Sequence, residues 1–221
     1  MECDSVKLAR CRSSACIHIA RLPPARRRAQ LLACAMKVFA EHGLGAGNHA
    51  LIAQEAGVSV PTVFVYFATR AALIEAVLSE VEDLYRRAFA GSRRDSGPAV
   101  ETLLQLGDTM TRAADTHPYH SRVYLEWSIA VRAQIWPRFL AMQRYMVKVL
   151  TELIERGRGE GSCRLDLIPE DEAQILHAAS YALAQMQLAG ASASRIAQFQ
   201  RSTINTILIH PLPAAARPPL D

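Results

Sequence analysis

Residues 48–67, NHALIAQEAGVSVPTVFVYF, hold two short helical patterns separated by a turn signal. In the first pattern, Ile52 and Ala53 have the spacing of one face of a short helix. Gly57 can adopt a left-handed backbone conformation without steric cost, so we expect it to end that helix. Ser59 is expected to cap a second helix, because its hydroxyl can accept a hydrogen bond from a free backbone N–H. Two helices joined by so short a turn predict a helix-turn-helix, whose second helix enters the DNA major groove.

The second helix of this motif is expected to bury Val63, Phe64 and Phe67, which leaves its other faces free for DNA. An ordinary helical hairpin with no nucleic-acid partner is the alternative interpretation. For His49, at the start of the first helix, both a capping role and a phosphate contact are open. The residues predicted to bind DNA are Arg26, Arg27, Arg28, Asn48, His49, Ser59, Val60, Thr62, Val65, Tyr66 and Arg70.

The distribution of charge supports a nucleic-acid partner more strongly than the total does. The chain of 221 residues has a formal net charge of only +4. Residues 1–30 nevertheless carry seven Lys and Arg against two Asp and Glu, so this segment is +5 and the remainder is −1. Positive charge is therefore concentrated next to the helix-turn-helix, where it can pair with a phosphate backbone.

The segment GVSVPTVFVYFATRAALIEAVL resembles the helix-turn-helix and fourth helix of the TetR family, and RRAQLLACAMKVFAEHGLG resembles that family's first helix. The chain is most similar to the LuxR/HapR/SmcR branch, the vibrio quorum-sensing master regulators, over about residues 21–209. EWSIAVRAQIWPRFLAMQRYM and LTELIERGRGEG are similar to the ligand-binding region of that branch. One position departs from the pattern: the branch usually has Asn where this chain has Val65, so the operator sequence does not carry over.

The periodicity along the whole chain predicts an all-α protein of about nine helices. Alanine and leucine are abundant, and the alternation typical of strands is nearly absent. Glycine and proline mark a loop at residues 91–98 and place later breaks at 117–118 and 157–161. We expect a flexible arm over residues 1–20, a DNA-binding domain over 21–68, a regulatory and dimerisation domain over 69–210, and a disordered tail over 211–221. The predicted helices span residues 25–42, two short segments within 48–67, 69–90, 99–116, 119–131, 136–156, 169–189 and 192–210.

Aromatic and methionine side chains are concentrated in the predicted helices five to seven. Such residues either fill a core or line a cavity for an apolar ligand, with Gln143 as a polar group in that cavity. The resemblance implies a pocket in this region but identifies no natural ligand. The residues it implies for ligand binding are Tyr85, Phe89, Met110, Trp127, Phe139 and Gln143.

The last two predicted helices have apolar residues on more than one face. A second apolar face predicts a partner, although part of each helix must pack within the chain. The family resemblance implies a homodimer formed by these helices. A two-fold dimer would bind a pseudo-palindromic operator. The predicted interface residues are Ala179, Leu183, Met186, Ile204 and Leu208.

The remaining features favour a regulator over an enzyme. No nucleophile motif, phosphate-binding glycine loop or metal-binding histidine pair occurs, so we expect no catalysis, no metal and no cofactor. The cysteines number five, an odd count, and none forms a C-x-x-C pair, which favours reduced thiols. No apolar run reaches membrane-spanning length, so a cytoplasmic location is expected. The functional alternatives are a quorum-sensing-type global regulator, a local ligand-responsive repressor of efflux or catabolic genes, and a helical carrier that does not bind DNA.

Overall fold

The computed structural model describes residues 22–131 and 133–210, and these residues contain α-helices and no β-strand. The predicted all-α class is therefore confirmed. The arm predicted for residues 1–20 and the tail predicted for 211–221 lie outside the described residues. The helices are α1 (Pro24–Ala46), α2 (His49–Ala56), α3 (Val60–Tyr66), α4 (Arg70–Arg94), α5 (Ala99–Thr116), α6 (Pro118–Ser128), α7 (Trp136–Glu160), α8 (Pro169–Leu188) and α9 (Ala193–Ile204), followed by a π-helical turn over Asn205–Ile209.

Five helix ends differ from the prediction. α1 is assigned to Ala46 instead of residue 42, although Gly43 within it has the non-helical φ of 86°. α9 ends at Ile204 instead of residue 210, because a π-helical turn takes over at Asn205. The other three are the ends of α4, α6 and α7. α4 runs to Arg94 instead of residue 90, and Arg93 in its last turn pairs with Glu152 of α7 at 2.7 Å. Basic residues at a helix C-terminus are favoured by the helix dipole, which outweighs the glycine in this turn. α6 ends at Ser128, three residues early. α7 continues through two glycines and ends only at Gly161, whose φ is 74°.

Gly157 lies within α7, where neighbouring segments approach the helix backbone closely. A Cβ atom at this position would lie 2.5 Å from Cys163 Sγ and 3.2 Å from the Cβ of Ala99. Glycine therefore lets the loop after α7 and the start of α5 pack directly against the helix backbone. The sequence signal was correct about a special role for glycine here but assigned it to a break.

The core is continuous from the N-terminal helices to the C-terminal ones. α1 packs against α2, α4 and α6, while α7 packs along α8 and α5. Leu73, Val77 and Val81 of α4 are fully buried, as its periodicity predicts. α4 is thus shared: it packs with α1 of the N-terminal helices and also with α5, α6 and α7.

Across residues 22–131 and 133–210, no single helix is both long and apolar enough to cross a membrane. The bent pair formed by α3 and α4, with 64° between them, does meet the length and composition criteria. Cys34 and Cys163 are unpaired, and burial raises the pKa of both thiols.

Candidate nucleic-acid interface and internal cavity

The turn between α2 and α3 has the geometry that the sequence predicts. Gly57 has φ 64° and ψ 37°, the left-handed conformation. The backbone N–H of Val58 donates to the carbonyl of Ala53 at 3.0 Å, which closes the end of α2. Buried Ile52 and Val63 lie in the core below the turn. This arrangement turns α3 sharply away from α2 and leaves one side of α3 uncovered.

His49 fixes α2 to the end of α3 and is itself buried. Its Nε2 lies 2.8 Å from the carbonyl oxygen of Phe67, which can only accept, so Nε2 carries the proton. The imidazole stacks on the ring of Phe64 with centroids 3.9 Å apart. The structure therefore places His49 in the packing of the motif, and its hydrogen bond is to backbone, in contrast to the predicted contact with DNA. Phe64 also differs from the prediction: it is 46% exposed, lying over His49 instead of in the core.

Asn48 and Ser59, both predicted to bind DNA, form hydrogen bonds within the motif. Asn48 caps α2, since its Oδ1 accepts from the N–H groups of Ala50 and Leu51 at 3.0 and 3.1 Å. Ser59 occupies the cap position of α3, but its hydroxyl is hydrogen-bonded to Thr62 Oγ1 at 2.8 Å and not to the backbone. The prediction that Ser59 caps the helix through its side chain is thus wrong.

The uncovered side of α3 presents a mixed surface to solvent. Val65 is 80% exposed, and Ser59 is also exposed. Val60, Thr62 and Tyr66 are half-buried at its margins.

The basic start of α1 lies beside this surface. The Arg28 guanidinium lies 5.0 Å from the centroid of the Phe67 ring at the end of α3. Arg26 is exposed, whereas half-buried Arg27 donates a hydrogen bond to Gln30 at 2.7 Å. Positive charge and the uncovered face of α3 are therefore adjacent, which is the arrangement that the sequence predicts for binding a phosphate backbone.

Arg70 binds the segment 43–47, which consists of the end of α1 from the non-helical Gly43 onward and the cap residue Gly47. Its Nε donates to the carbonyl of Gly47 at 2.8 Å, and its Nη2 donates to the carbonyls of Gly45, at 2.7 Å, and Leu44. From the other side, Glu126 of α6 accepts from the N–H of Leu44 at 2.7 Å. The predicted role of Arg70 was a DNA contact, but in the structure its donors are directed at backbone carbonyls.

A cavity of about 120 Å³ lies between α4, α5, α6, α7, α8 and α9. Tyr85, Phe89 and Met110, three of the six residues implied for ligand binding, line it. Further lining residues come from α5, α8 and α9, and they include Leu106, Gly107, Leu183, Gln200 and Ile204.

The other three implied residues do not line this cavity. Trp127 is fully buried and its indole N–H donates to the carbonyl of Ile135 at 2.9 Å, while Phe139 packs edge-on against Trp127. Gln143 lies in a surface groove between α7 and α8, near Glu170. The expectation that Gln143 supplies a polar group to the cavity is therefore not met.

The polar groups of the cavity form a neutral cluster. The Tyr124 hydroxyl lies 3.3 Å from His177 Nε2 and 3.5 Å from the Tyr181 hydroxyl. Burial lowers the pKa of His177 to about 4 and raises the pKa of Tyr124 well above its usual value. All three groups are uncharged near pH 7. In the part of the chain that the structure describes, no three His, Cys, Asp or Glu residues come together as a metal site.

Most residues predicted for a dimer interface face the interior of the protomer. Ala179, Leu183 and Ile204 line the cavity, and Leu208 is fully buried in the core. Met186 is half-buried. The outward face of α8 is offset from the predicted one and carries Ile175, Ala178, Ala182, Gln185 and Ala189.

Sequence patterns alone did not identify two polar residues with specific buried contacts. Gln200 lies on a helix with one other glutamine, and only its packing on Gly107 of α5 distinguishes it. Glu126 stood out as a lone carboxylate beside a tryptophan, but its partner is a backbone N–H 82 residues away. Contacts of this kind leave no periodic signal.

Comparisons with known proteins agree with this geometry. A family model described as bacterial regulatory proteins, tetR family, matches residues 31–77, which run from α1 into α4. The HTH-type transcriptional regulator LuxR of Vibrio harveyi is 31% identical over 163 residues, which cover 74% of this chain and 80% of that protein.

Solved structures share the fold at lower identity. A TetR-like transcriptional regulator from Rhodococcus sp. RHA1 has a TM-score of 0.72 and 20% identity, over 83% of this chain and 96% of that one. A putative transcriptional regulator from Saccharomonospora viridis, in complex with choline, has a TM-score of 0.72 and 19% identity, over 85% of this chain and 100% of that one. The motif, the aligned regulator and the shared architecture together establish that the chain belongs to the TetR family of transcriptional regulators.

Proposed function

We propose that this TetR-family regulator binds a pseudo-palindromic operator as a homodimer, through the uncovered face of α3 and the basic start of α1. TetR regulators bind DNA and act as dimers. The observation that carries the proposal for this chain is Val65, a β-branched apolar residue left 80% exposed in the last turn of a seven-residue helix. Its neighbours in the sequence, Phe64 and Tyr66, contribute to packing, whereas Val65 does not.

Specificity and affinity are assigned to different residues in this proposal. Val65, with Thr62 and Tyr66 beside it, would contact base edges, and valine offers apolar contact to a thymine methyl. Arg26 and Arg28 are exposed and would pair with phosphates, which position a protein without selecting its sequence. His49 and Arg70 would act indirectly, by holding α2 and the segment 43–47 in place.

The outward face of α8 is the proposed dimer surface. Ile175, Ala178, Ala182 and Gln185 follow a three-four spacing that forms one stripe along the helix, and Ile175 is 51% exposed. The small alanines permit a second helix to approach closely. Exposed Ile209, at the end of the π-helical turn after α9, and the polar residues of the last turns of α9 would border this contact.

The cavity supports control by a small molecule. Its walls come from α4, which also begins at the DNA-binding head, and from α6, which holds the segment 43–47 through Glu126. The choline complex of the Saccharomonospora viridis protein gives one case of a small molecule bound to this fold. A ligand-responsive local repressor is favoured by the cavity, whereas a quorum-sensing-type global regulator is favoured by the 31% identity to LuxR. Either regulator would act in the cytoplasm, where the chromosome is.

The test is selection of binding sites from a random duplex library by the purified protein. We expect a two-fold symmetric consensus, and Arg26→Gln should lower the slope of log affinity against log salt by about one. Arg112→Gln, an exposed arginine on α5, is the matched control and should leave the slope unchanged. Failure to enrich any sequence, or binding that does not depend on salt, would overturn the proposal. A genome-wide map of bound sites then separates the two regulators, since a local repressor occupies few sites.

A further inference from the structure

We propose that the cavity binds an uncharged, mostly apolar molecule about the size of one substituted ring, which donates a hydrogen bond to the side-chain oxygen of Gln200. This inference rests on the proposed role of the cavity as a ligand site and adds the chemical class of the ligand. It depends on three observations: the charge of the walls, the state of the Gln200 amide, and the volume.

The walls select against ions. Of the described residues that line the cavity, none is Asp, Glu, Lys or Arg. The histidine among them, His177, is 3% exposed, and burial lowers its pKa to about 4, so it is neutral near pH 7. A charged ligand would lose its hydration and find no opposite charge, a cost of several kcal/mol.

Among the described residues that line the cavity, only Gln200 has a side-chain acceptor that is buried and has no hydrogen-bond partner. Its Nε2 donates to the carbonyl of Leu104 at 2.6 Å, and because that carbonyl can only accept, the amide orientation is fixed. Its Oε1 is buried without a hydrogen-bond partner, and the residue as a whole is 5% exposed. Gly107 makes room for this amide, since a Cβ there would lie 2.4 Å from Nε2.

A buried acceptor without a donor destabilises the protein, and a ligand hydroxyl or N–H would recover part of that loss. Several other polar side chains of the lining are already engaged. Tyr124 pairs with His177, and Thr203 and Ser180 donate to carbonyls of their own helices. The ligand is therefore expected to need a donor at one end and hydrocarbon elsewhere.

The volume limits the size of the ligand. The cavity measures about 120 Å³, and an apolar cavity of about 150 Å³ in another protein holds benzene. Side chains such as Met110 and Met146 line the space, and flexible methionines can adapt to a somewhat larger molecule.

Four probes of nearly equal shape test the charge and the donor separately: benzyl alcohol, ethylbenzene, benzylammonium and benzoate. Titration calorimetry on the full chain without DNA should give an affinity for benzyl alcohol at least tenfold above that for either ion. Equal or tighter binding of an ion, or no binding of benzyl alcohol, would overturn the inference.

Gln200→Met, which keeps the length of the side chain, tests the hydrogen bond. In this variant the preference for benzyl alcohol over ethylbenzene should fall about fivefold, the equivalent of one net hydrogen bond. Gln198→Met, the same change at an exposed position of the same helix, should leave the preference as it is in the parent. If Gln200→Met does not fold, Gly107→Ala provides the second test, because its Cβ would displace the amide. An unchanged preference in a folded variant would overturn the role of Gln200.

Operator binding is measured on the same preparations. Loss of operator binding with the probe order intact contradicts only the proposed DNA function. Intact operator binding with no discrimination among the four probes contradicts only the inference about the ligand.

Discussion

Replacing Arg70 with lysine distinguishes a structural role of this residue from a direct contact with DNA. The guanidinium donates to the carbonyls of Leu44, Gly45 and Gly47, all in the segment 43–47 at the end of α1. Lysine keeps the positive charge that a phosphate contact needs, but its ammonium has no planar fork with which to bind three carbonyls. We therefore expect Arg70→Lys to lower stability while it preserves the charge.

The magnitude follows from the number of bonds lost. A lysine can keep about one of the three hydrogen bonds, so two are lost. A hydrogen bond to a charged group contributes about 1.5–3 kcal/mol when buried, but Arg70 is exposed, so water and screening reduce this to about 0.5–1 kcal/mol each. The expected loss is about 1–2 kcal/mol. For a chain of this length, that corresponds to a fall in Tm of about 2–8 °C.

The assay is thermal unfolding followed by circular dichroism, with Arg26→Lys as the control. Arg26 is exposed, so its change should alter stability by less than about 0.5 kcal/mol. Affinity for the selected operator is measured in parallel, well below the unfolding temperature. Equal Tm values for the two variants would show that the bonds to segment 43–47 contribute nothing, and Arg70 would return to the set of predicted phosphate contacts.

Four further substitutions test base preference, dimerisation and the dependence of stability on pH. Val65→Asn should change base preference by about 1–3 kcal/mol at one position per half-site with no change in Tm, and an unchanged selected site would place this residue away from the bases. Ala178→Glu should convert the dimer to monomers in sedimentation experiments. Ile204→Glu should instead lower protomer stability, because its charge would be buried inside the protomer. If the Ala178→Glu variant stays dimeric, the interface lies elsewhere. The folded-state pKa of His177 is lowered to about 4, from an ordinary value near 6.5, by burial, so the unfolded chain takes up this proton first. The contribution of His177 to stability is therefore complete above about pH 6.5 and falls by about 3 kcal/mol towards pH 4, and urea unfolding of His177→Leu should show a shallower fall than the parent.

Local signals in the sequence predicted the elements that depend on local chemistry. Thr69 caps α4 through a hydrogen bond from Ala72 N at 3.1 Å, and Ser192 caps α9 in the same way. Gly57 ends α2 in the left-handed conformation. Ser59 has the same signature as the other caps, but a neighbouring hydroxyl, that of Thr62, competes for it. A pattern of residue types does not indicate whether a serine oxygen will pair with a backbone N–H or with a neighbouring hydroxyl.

The faces of the C-terminal helices could not be assigned from periodicity. α8 has small or apolar residues all around its circumference, so the spacing is equally compatible with Ala178 or Ala179 on the outside. The structure decides the question because α5 and α7 both pack on α8 and leave only the stripe that begins at Ile175. The same reasoning applies to the glutamines. Gln143 and Gln200 are the same residue type in the sequence, and only the close approach of Gly107 makes the Gln200 amide a buried acceptor.

The length of α4 has a mechanical consequence. Arg70 is its first residue, and Phe89, near its other end, lines the cavity. At about 1.5 Å of rise per residue, the two positions are about 28 Å apart along a single continuous rod. A tilt of about 5° pivoting at Phe89 would carry Arg70 sideways by about 2.5 Å, which is close to the length of a hydrogen bond. A rearrangement too small to notice at the cavity would thus be magnified at the far tip into a displacement large enough to detach a guanidinium from its carbonyls.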